Sequence, residues 1–154
     1  MIAMRISGSI LLVDDDQGIR DTLAMVLKSY GHSVKCAASA KEALDMLKGA
    51  DFDVLLVDIR LPDIDGIQLL HRVPDETPRS RAIVITGYPT LDNAIGAANE
   101  GADGYLLKPF EVRELLEKIQ LMVESRLNEK HFDEKMLATY VKSRAKEAAP
   151  LVAR

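Results

Sequence analysis

The chain reads as an α/β protein, a doubly wound five-stranded parallel sheet in the flavodoxin-like order 2-1-3-4-5 with an extra C-terminal helical extension. Three observations carry that expectation. Short apolar runs alternate with helical patterns, which is the signature of a parallel sheet covered on both faces. The runs Ile10–Val13, Val54–Val57 and Ile83–Ile85 are apolar throughout, as buried central strands are. Ser33-Val34-Lys35-Cys36 instead alternates polar with apolar, as an edge strand does.

Each element has a local reason. After the first strand, Ile19, Leu23, Val26 and Leu27 recur at helical spacing, Asp16 is the expected N-cap, and Gly31 ends the helix. Ser39-Ala40-Lys41-Glu42 is a capping box that opens a second helix, with Ala43, Leu44 and Leu47 inward and Gly49 near its end. The third strand spans 53–58 and is followed by a helix from about Gly66 to Val73, which Pro74 stops early. The fourth strand, 82–86, precedes a helix that begins near Thr90 and is ended by Gly101. The fifth strand, 104–107, leads into a helix from Glu111 with Val112, Leu115, Leu116, Ile119 and Val123 on its apolar face.

Residues 1–124 therefore form the α/β domain, and 125–154 a helical linker or tail. In that tail the apolar positions change phase between Leu127 and Phe132, and Phe132-Asp133 before Met136-Leu137 reads as a hydrophobic staple with an N-cap. The expectation is a break near Asn128–His131 and a second helix to about Ala148. The heptads are too few to specify a coiled coil.

Composition narrows the functional classes. No apolar stretch reaches the roughly 20 residues of a membrane span, and residues 1–9 lack the features of a signal peptide. Cys36, the single cysteine, excludes an internal disulfide and a cysteine-based metal site. A cytoplasmic location is expected. The net charge of −4 offers no footprint for direct nucleic-acid binding. The acidic excess lies in residues 1–122, at −6, against +2 for 123–154.

The chemistry gathers at strand ends. Asp14-Asp15-Asp16 follows the first strand, Asp58 ends the third, Thr86 ends the fourth, and Tyr105 and Lys108 sit on and just past the fifth. In an open α/β sheet, ligands bind beyond the carboxyl ends of the strands. Clustered carboxylates stay ionised only if a cation shares their site, and an all-oxygen set suits Mg²⁺ or Mn²⁺. With Lys108 as a fixed charge and Thr86 as a hydroxyl donor, the set fits a phosphoryl group in transfer. Asp58, a lone carboxylate ending a central strand, is the candidate nucleophile for an aspartyl-phosphate. Taken singly, the aspartates could be helix caps, Thr86 a turn residue, Lys108 a solvated lysine and Tyr105 a core residue.

These motifs resemble the receiver domain of two-component response regulators over about residues 8–124. Val13-Asp14-Asp15-Asp16 matches the acidic motif, and Val57-Asp58-Ile59-Arg60-Leu61-Pro62-Asp63-Ile64-Asp65-Gly66 the phosphoacceptor segment. Ile85-Thr86-Gly87 and Gly101–Phe110 match the hydroxyl and lysine segments. The resemblance implies that Asp58 accepts a phosphoryl group from the phosphohistidine of a sensor histidine kinase or a phosphotransfer protein. It implies Mg²⁺ held by Asp15, Asp58 and the Arg60 backbone carbonyl, with Asp14 holding a metal-bound water. Lys108 would pair with Asp58 through a cis Lys108-Pro109 bond. Thr86 and Tyr105 would form a switch that alters the face made by the fourth helix, fifth strand and fifth helix. The implied protein is a signalling switch rather than a turnover enzyme, acting on an output domain, commonly transcriptional, or on a partner protein. That face and the C-terminal helix are the two candidate surfaces for a homodimer.

Two features depart from the family pattern or qualify it. Pro74 shortens the third helix. Arg60 and Tyr88 occupy the positions two past the acceptor and the hydroxyl, where a long charged Arg60 would screen the attacking water. The rival reading is an aspartyl-nucleophile phosphatase of haloacid-dehalogenase type. It needs Thr or Val after its D-x-D, where this chain has Gly18, and a strand-end acidic pair after the lysine, which the sequence does not offer.

Overall fold

The computed structural model describes residues 6–73 and 80–152, with side chains in the last helix to residue 129 and at 135, 136, 138, 139, 141 and 142. Five strands, β1 (Ser9–Val13), β2 (Ser33–Ala37), β3 (Val54–Asp58), β4 (Arg81–Thr86) and β5 (Gly104–Leu107), alternate with α1 (Gln17–Ser29), α2 (Ala40–Gly49), α3 (Gly66–Arg72), α4 (Leu91–Asn99) and α5 (Val112–Val152). The sheet is parallel, in order β2-β1-β3-β4-β5, as the sequence predicts.

The two-residue period of a strand divides the core between the two faces of the sheet. Ile10 and Leu12 of β1 and Leu56 of β3 pack with Leu23 and Leu27 of α1 and with Leu115, Ile119 and Val123 of α5. Their neighbours Leu11, Val13, Leu55 and Val57 pack on the other face against α2, α3 and α4, through Ala40, Ala43, Leu69, Leu70 and Ala97. Every residue of β3 is buried, whereas Ser33 and Lys35 of β2 are exposed at the sheet edge.

Caps fix where each helix starts. Asp16 accepts from the Ile19 amide at 3.1 Å, as expected. Asp65 and Thr90 cap α3 and α4 in the same way, accepting from Gln68 and Asn93. In the α2 capping box Ser39 Oγ accepts from the Glu42 amide, but Glu42 reaches back to the Ala38 amide rather than to that of Ser39. Gly31 and Gly101, just past the C-caps of α1 and α4, have φ of 93° and 81°, conformations that favour glycine. α3 ends at Arg72, and Pro74, invoked to stop it, lies outside the described residues.

One expectation fails. The tail does not break at Asn128–His131; the backbone of α5 is helical from Val112 to Val152 without interruption. No glycine or proline occurs between Val112 and Ala149, so nothing interrupts the hydrogen-bond ladder. Asp133 therefore lies within the helix. The phase change in apolar positions has another cause. Among the described side chains Val123 is the last of α5 in the apolar core, and the contacts beyond it, through Ser125, Arg126 and Glu129, are polar and impose no apolar stripe.

Candidate functional site

The topology brings the polar strand-end residues to one edge. Asp14 follows β1, Asp58 ends β3, Thr86 ends β4 and Lys108 follows β5. Asp58 is in register with Ile85, and Thr86 with Leu107. The Lys108 amide donates to the Thr86 carbonyl at 2.8 Å, and the Asp14 amide to the Ala37 carbonyl at 3.1 Å, which ties the loops after β5 and β1 to the ends of β4 and β2.

Lys108 Nζ lies 3.1 Å from Asp14 Oδ2 and 3.3 Å from Asp58 Oδ2. It bridges two carboxylates rather than serving Asp58 alone. Its ammonium is shifted upward: burial opposes the charge, but Asp14 and Asp58 outweigh that cost. Asp58 also shifts upward, because burial disfavours its anion more than the Arg60 amide and Lys108 favour it, and Asp14 adds repulsion. Asp58 Oδ1 accepts from the Arg60 amide at 3.2 Å.

Carboxylate oxygens of Asp14, Asp15 and Asp58 all lie within 4.8 Å of one another. Asp14 is buried at 3% exposure, Asp58 lies at 9%, and Asp15 faces solvent. Three hard oxygen donors around a partly open position fit an ion such as Mg²⁺, which retains waters and takes few protein ligands. Asp16 takes no part in this cluster; it caps α1, and its amide donates to Asp14 Oδ1 at 2.9 Å.

Thr86 is buried at 1% exposure, and its Oγ1 accepts from the Tyr88 amide at 3.0 Å, leaving the hydroxyl proton to donate elsewhere. Tyr105 packs against the core on the α2–α4 face. Its buried hydroxyl has no hydrogen-bond partner among the described residues, and burial pushes the phenol upward. The Lys108-Pro109 peptide is cis.

Several contacts come from the fold, although Arg60, Tyr88 and Gly66 stand out by position in the sequence. Arg20 Nη1 donates to the Asp14 carbonyl at 2.7 Å, placing a second cation against the acidic loop; its spacing four residues after Asp16 is the only hint. Arg60 stacks on Tyr88, with Cζ 3.5 Å from the ring centroid. Gly66 fits only as glycine, since a Cβ there would lie 2.2 Å from the Asp58 carbonyl oxygen.

Comparison with known proteins identifies the family and agrees with the fold. The family model for the response regulator receiver domain matches residues 10–120. Response regulator protein FleR of Pseudomonas aeruginosa is 35% identical over 113 residues, which is 73% of this chain and 24% of FleR. The chain spans between about a quarter and a half of the curated relatives it matches. A CheY-like receiver domain protein from Methanospirillum hungatei superposes with a TM-score of 0.77 at 38% identity, covering 80% of this chain and 99% of that one. A response regulator from Burkholderia pseudomallei, solved with a phosphorylated aspartic acid, calcium ion and citrate, gives 0.69 at 31% identity over 81% of this chain and 74% of that one.

Proposed function

The chain belongs to the response regulator receiver domain family, and from that premise we propose that it is a phosphorylation-controlled switch whose phosphoacceptor is Asp58. The observation that carries this reading is the Lys108 ammonium held between Asp14 and Asp58 at the carboxyl edge of the sheet, beside the acidic cluster.

In the proposed transfer, an Asp58 carboxylate oxygen attacks phosphorus, and the bond to the kinase or phosphotransfer-protein histidine breaks. The electron pair leaves with the imidazole nitrogen. Lys108 is positioned to offset charge on the transferring group, and Thr86 has a hydroxyl proton to donate to a phosphoryl oxygen. Asp14, Asp15, Asp58 and the Arg60 carbonyl would hold Mg²⁺, or Mn²⁺ in its place. When bound, that ion neutralises carboxylate repulsion and phosphoryl charge.

The read-out begins at the contact Thr86 makes with the next loop. A shift of the Thr86 side chain toward a phosphoryl oxygen would carry the Tyr88 amide bonded to its Oγ1 with it, or break that bond, and so move the loop after β4. Tyr105, whose hydroxyl lacks a partner among the described residues, reports that change to the surface of α4, β5 and α5. Leu91, Ile95, Leu107 and Val112 are exposed there, an apolar surface suited to a partner, an output domain or a second copy. Residues 1–124 form the receiver unit in this reading, and 125–154 link it to an output that is commonly transcriptional. Among the described residues no helix is long and apolar enough to cross a membrane, which is compatible with a cytoplasmic protein.

The test is direct. Incubation with acetyl phosphate and Mg²⁺ should add one phosphoryl group by mass to the wild type and none to Asp58→Asn. A wild type that gains nothing rejects the proposal.

A further inference from the structure

The loop that follows Asp58 is anchored at a distance. Asp63 Oδ1 accepts from the Ala40 amide at 3.0 Å and Oδ2 from the Lys41 amide at 2.8 Å. These are the first two amides of α2, which a helix cannot satisfy internally. Ser39 satisfies the Glu42 amide, so the start of α2 is capped partly by its own N-cap and partly by a carboxylate from another loop. The Asp63 carboxyl is held below the usual carboxylate range, first by the Lys41 amide, so the tether is between an anion and a helix N-terminus.

The tether completes a circuit around the acidic cluster. The Asp14 amide bonds the Ala37 carbonyl at the end of β2, and three residues later α2 begins. Asp63 joins α2 to the loop of residues 60–65. That loop is closed at its base by the Gly66 amide on the Ile59 carbonyl at 2.8 Å and by the Arg60 amide on Asp58 Oδ1. The circuit therefore connects the loop carrying Asp14 and Asp15 with the one carrying Asp58 and the Arg60 carbonyl. Mg²⁺ requires near-ideal octahedral geometry and tolerates displaced ligands poorly.

We propose that Asp63 is a positioning residue for the divalent cation, fixing the loop after Asp58 against the start of α2 so that both acidic loops present their oxygens at one spacing. The inference rests on the phosphoryl-switch reading, because it presupposes that the cluster binds Mg²⁺.

The experiment is calorimetric titration of Mg²⁺ into the full 154-residue chain for wild type, Asp63→Ala, Asp63→Asn and Ser39→Ala, each shown folded by thermal melting. Groups that orient metal ligands typically contribute 10–100-fold to affinity. Asp63 acts through the two residues that separate it from Arg60, so Asp63→Ala should weaken binding by about 5-fold. Asp63→Asn, which keeps one acceptor oxygen, should fall between. Ser39→Ala weakens the same helix start without touching the loop and should leave affinity unchanged. If Asp63→Ala does not fold, Asp63→Asn carries the comparison. Unchanged affinity in the Asp63 variants, or an equal loss in Ser39→Ala, overturns the inference while leaving the switch reading intact. A wild type that does not bind Mg²⁺ overturns both.

Discussion

The stack of Arg60 on Tyr88 should set how long the phosphoryl group survives. Arg60 lies two residues past Asp58 and Tyr88 two past Thr86, so the contact at 3.5 Å joins the loops carrying the proposed phosphoacceptor and the Thr86 hydroxyl. Water that approached a phosphoryl group on Asp58 from between these loops would meet the stack. Tyr88 is 59% exposed, and an exposed cation–π pair contributes about 0.5–1 kcal/mol. If the stack must part before water can align, that cost slows hydrolysis by about 2–5-fold. Decay of radiolabelled phosphoprotein should therefore quicken by about that factor in Arg60→Ala, and similarly in Tyr88→Ala. The double variant should be no faster than the faster single one, because either substitution removes the same obstacle. An unchanged decay in Arg60→Ala refutes the reasoning, as does a double variant whose acceleration is the product of the singles.

Three further outcomes follow from the packing and the charges. Arg126 is buried at 5% exposure and binds Asp51 at 2.6 Å as well as Asp53; Arg126→Ala should cost about 2 kcal/mol, less than a fully buried pair because Asp51 is largely exposed. Urea denaturation measures that loss, and Asp51→Asn should cost far less. Gly66→Ala should lower the melting temperature and destabilise by about 1–3 kcal/mol or more, since its Cβ would meet both the Asp58 carbonyl and Val57 Cγ1. Without divalent cations, Asp58→Asn should be more stable than the wild type at neutral pH. The folded state raises the Asp58 carboxyl above its ordinary 3.8, so the folded state binds the proton more tightly and stability falls as pH rises through the folded value. Urea midpoints of the two proteins should diverge from pH 3 toward 7, and Mg²⁺ should close the gap by stabilising the wild type; parallel midpoints across that range would contradict the assignment.

What the sequence disclosed was what is local. Ile10–Val13, Val54–Val57 and Ile83–Ile85 are uniformly apolar because both faces of their strands are covered. The polar residue after each run marks the sheet edge where ligands bind. The same locality produced the error at Asn128–His131. An apolar stripe records what lies beneath a helix, and when α5 leaves the sheet the stripe loses its template although the backbone ladder continues. Asp63 with Ala40 and Lys41, Arg126 with Asp51 and Asp53, and Arg20 with Asp14 had to come from the fold. The first two span 22 to 75 residues, and none of the three carries a periodic or motif signature.

Those distant pairs also bear on how a switch can communicate with a tail. β4 ends in Thr86 at the carboxyl edge and begins with Arg81 at the opposite edge, where Arg81 bonds Ser125 and Glu129 of α5. Arg126 holds Asp51 and Asp53 beside it. The base of the extension is thus clamped to the start of the same strand whose end carries the proposed switch hydroxyl. Residues 83–86 of β4 are buried, and a close-packed interior deforms little. A phosphoryl-driven change confined to the α4–β5 surface would leave this clamp untouched and would signal through what docks on that surface. A change meant to reach the tail has to alter the Arg81 and Arg126 contacts. Hydrogen exchange at Ser125–Glu129 before and after phosphorylation separates the two routes: constant protection there assigns the output to the exposed apolar face, and lost protection assigns it to α5.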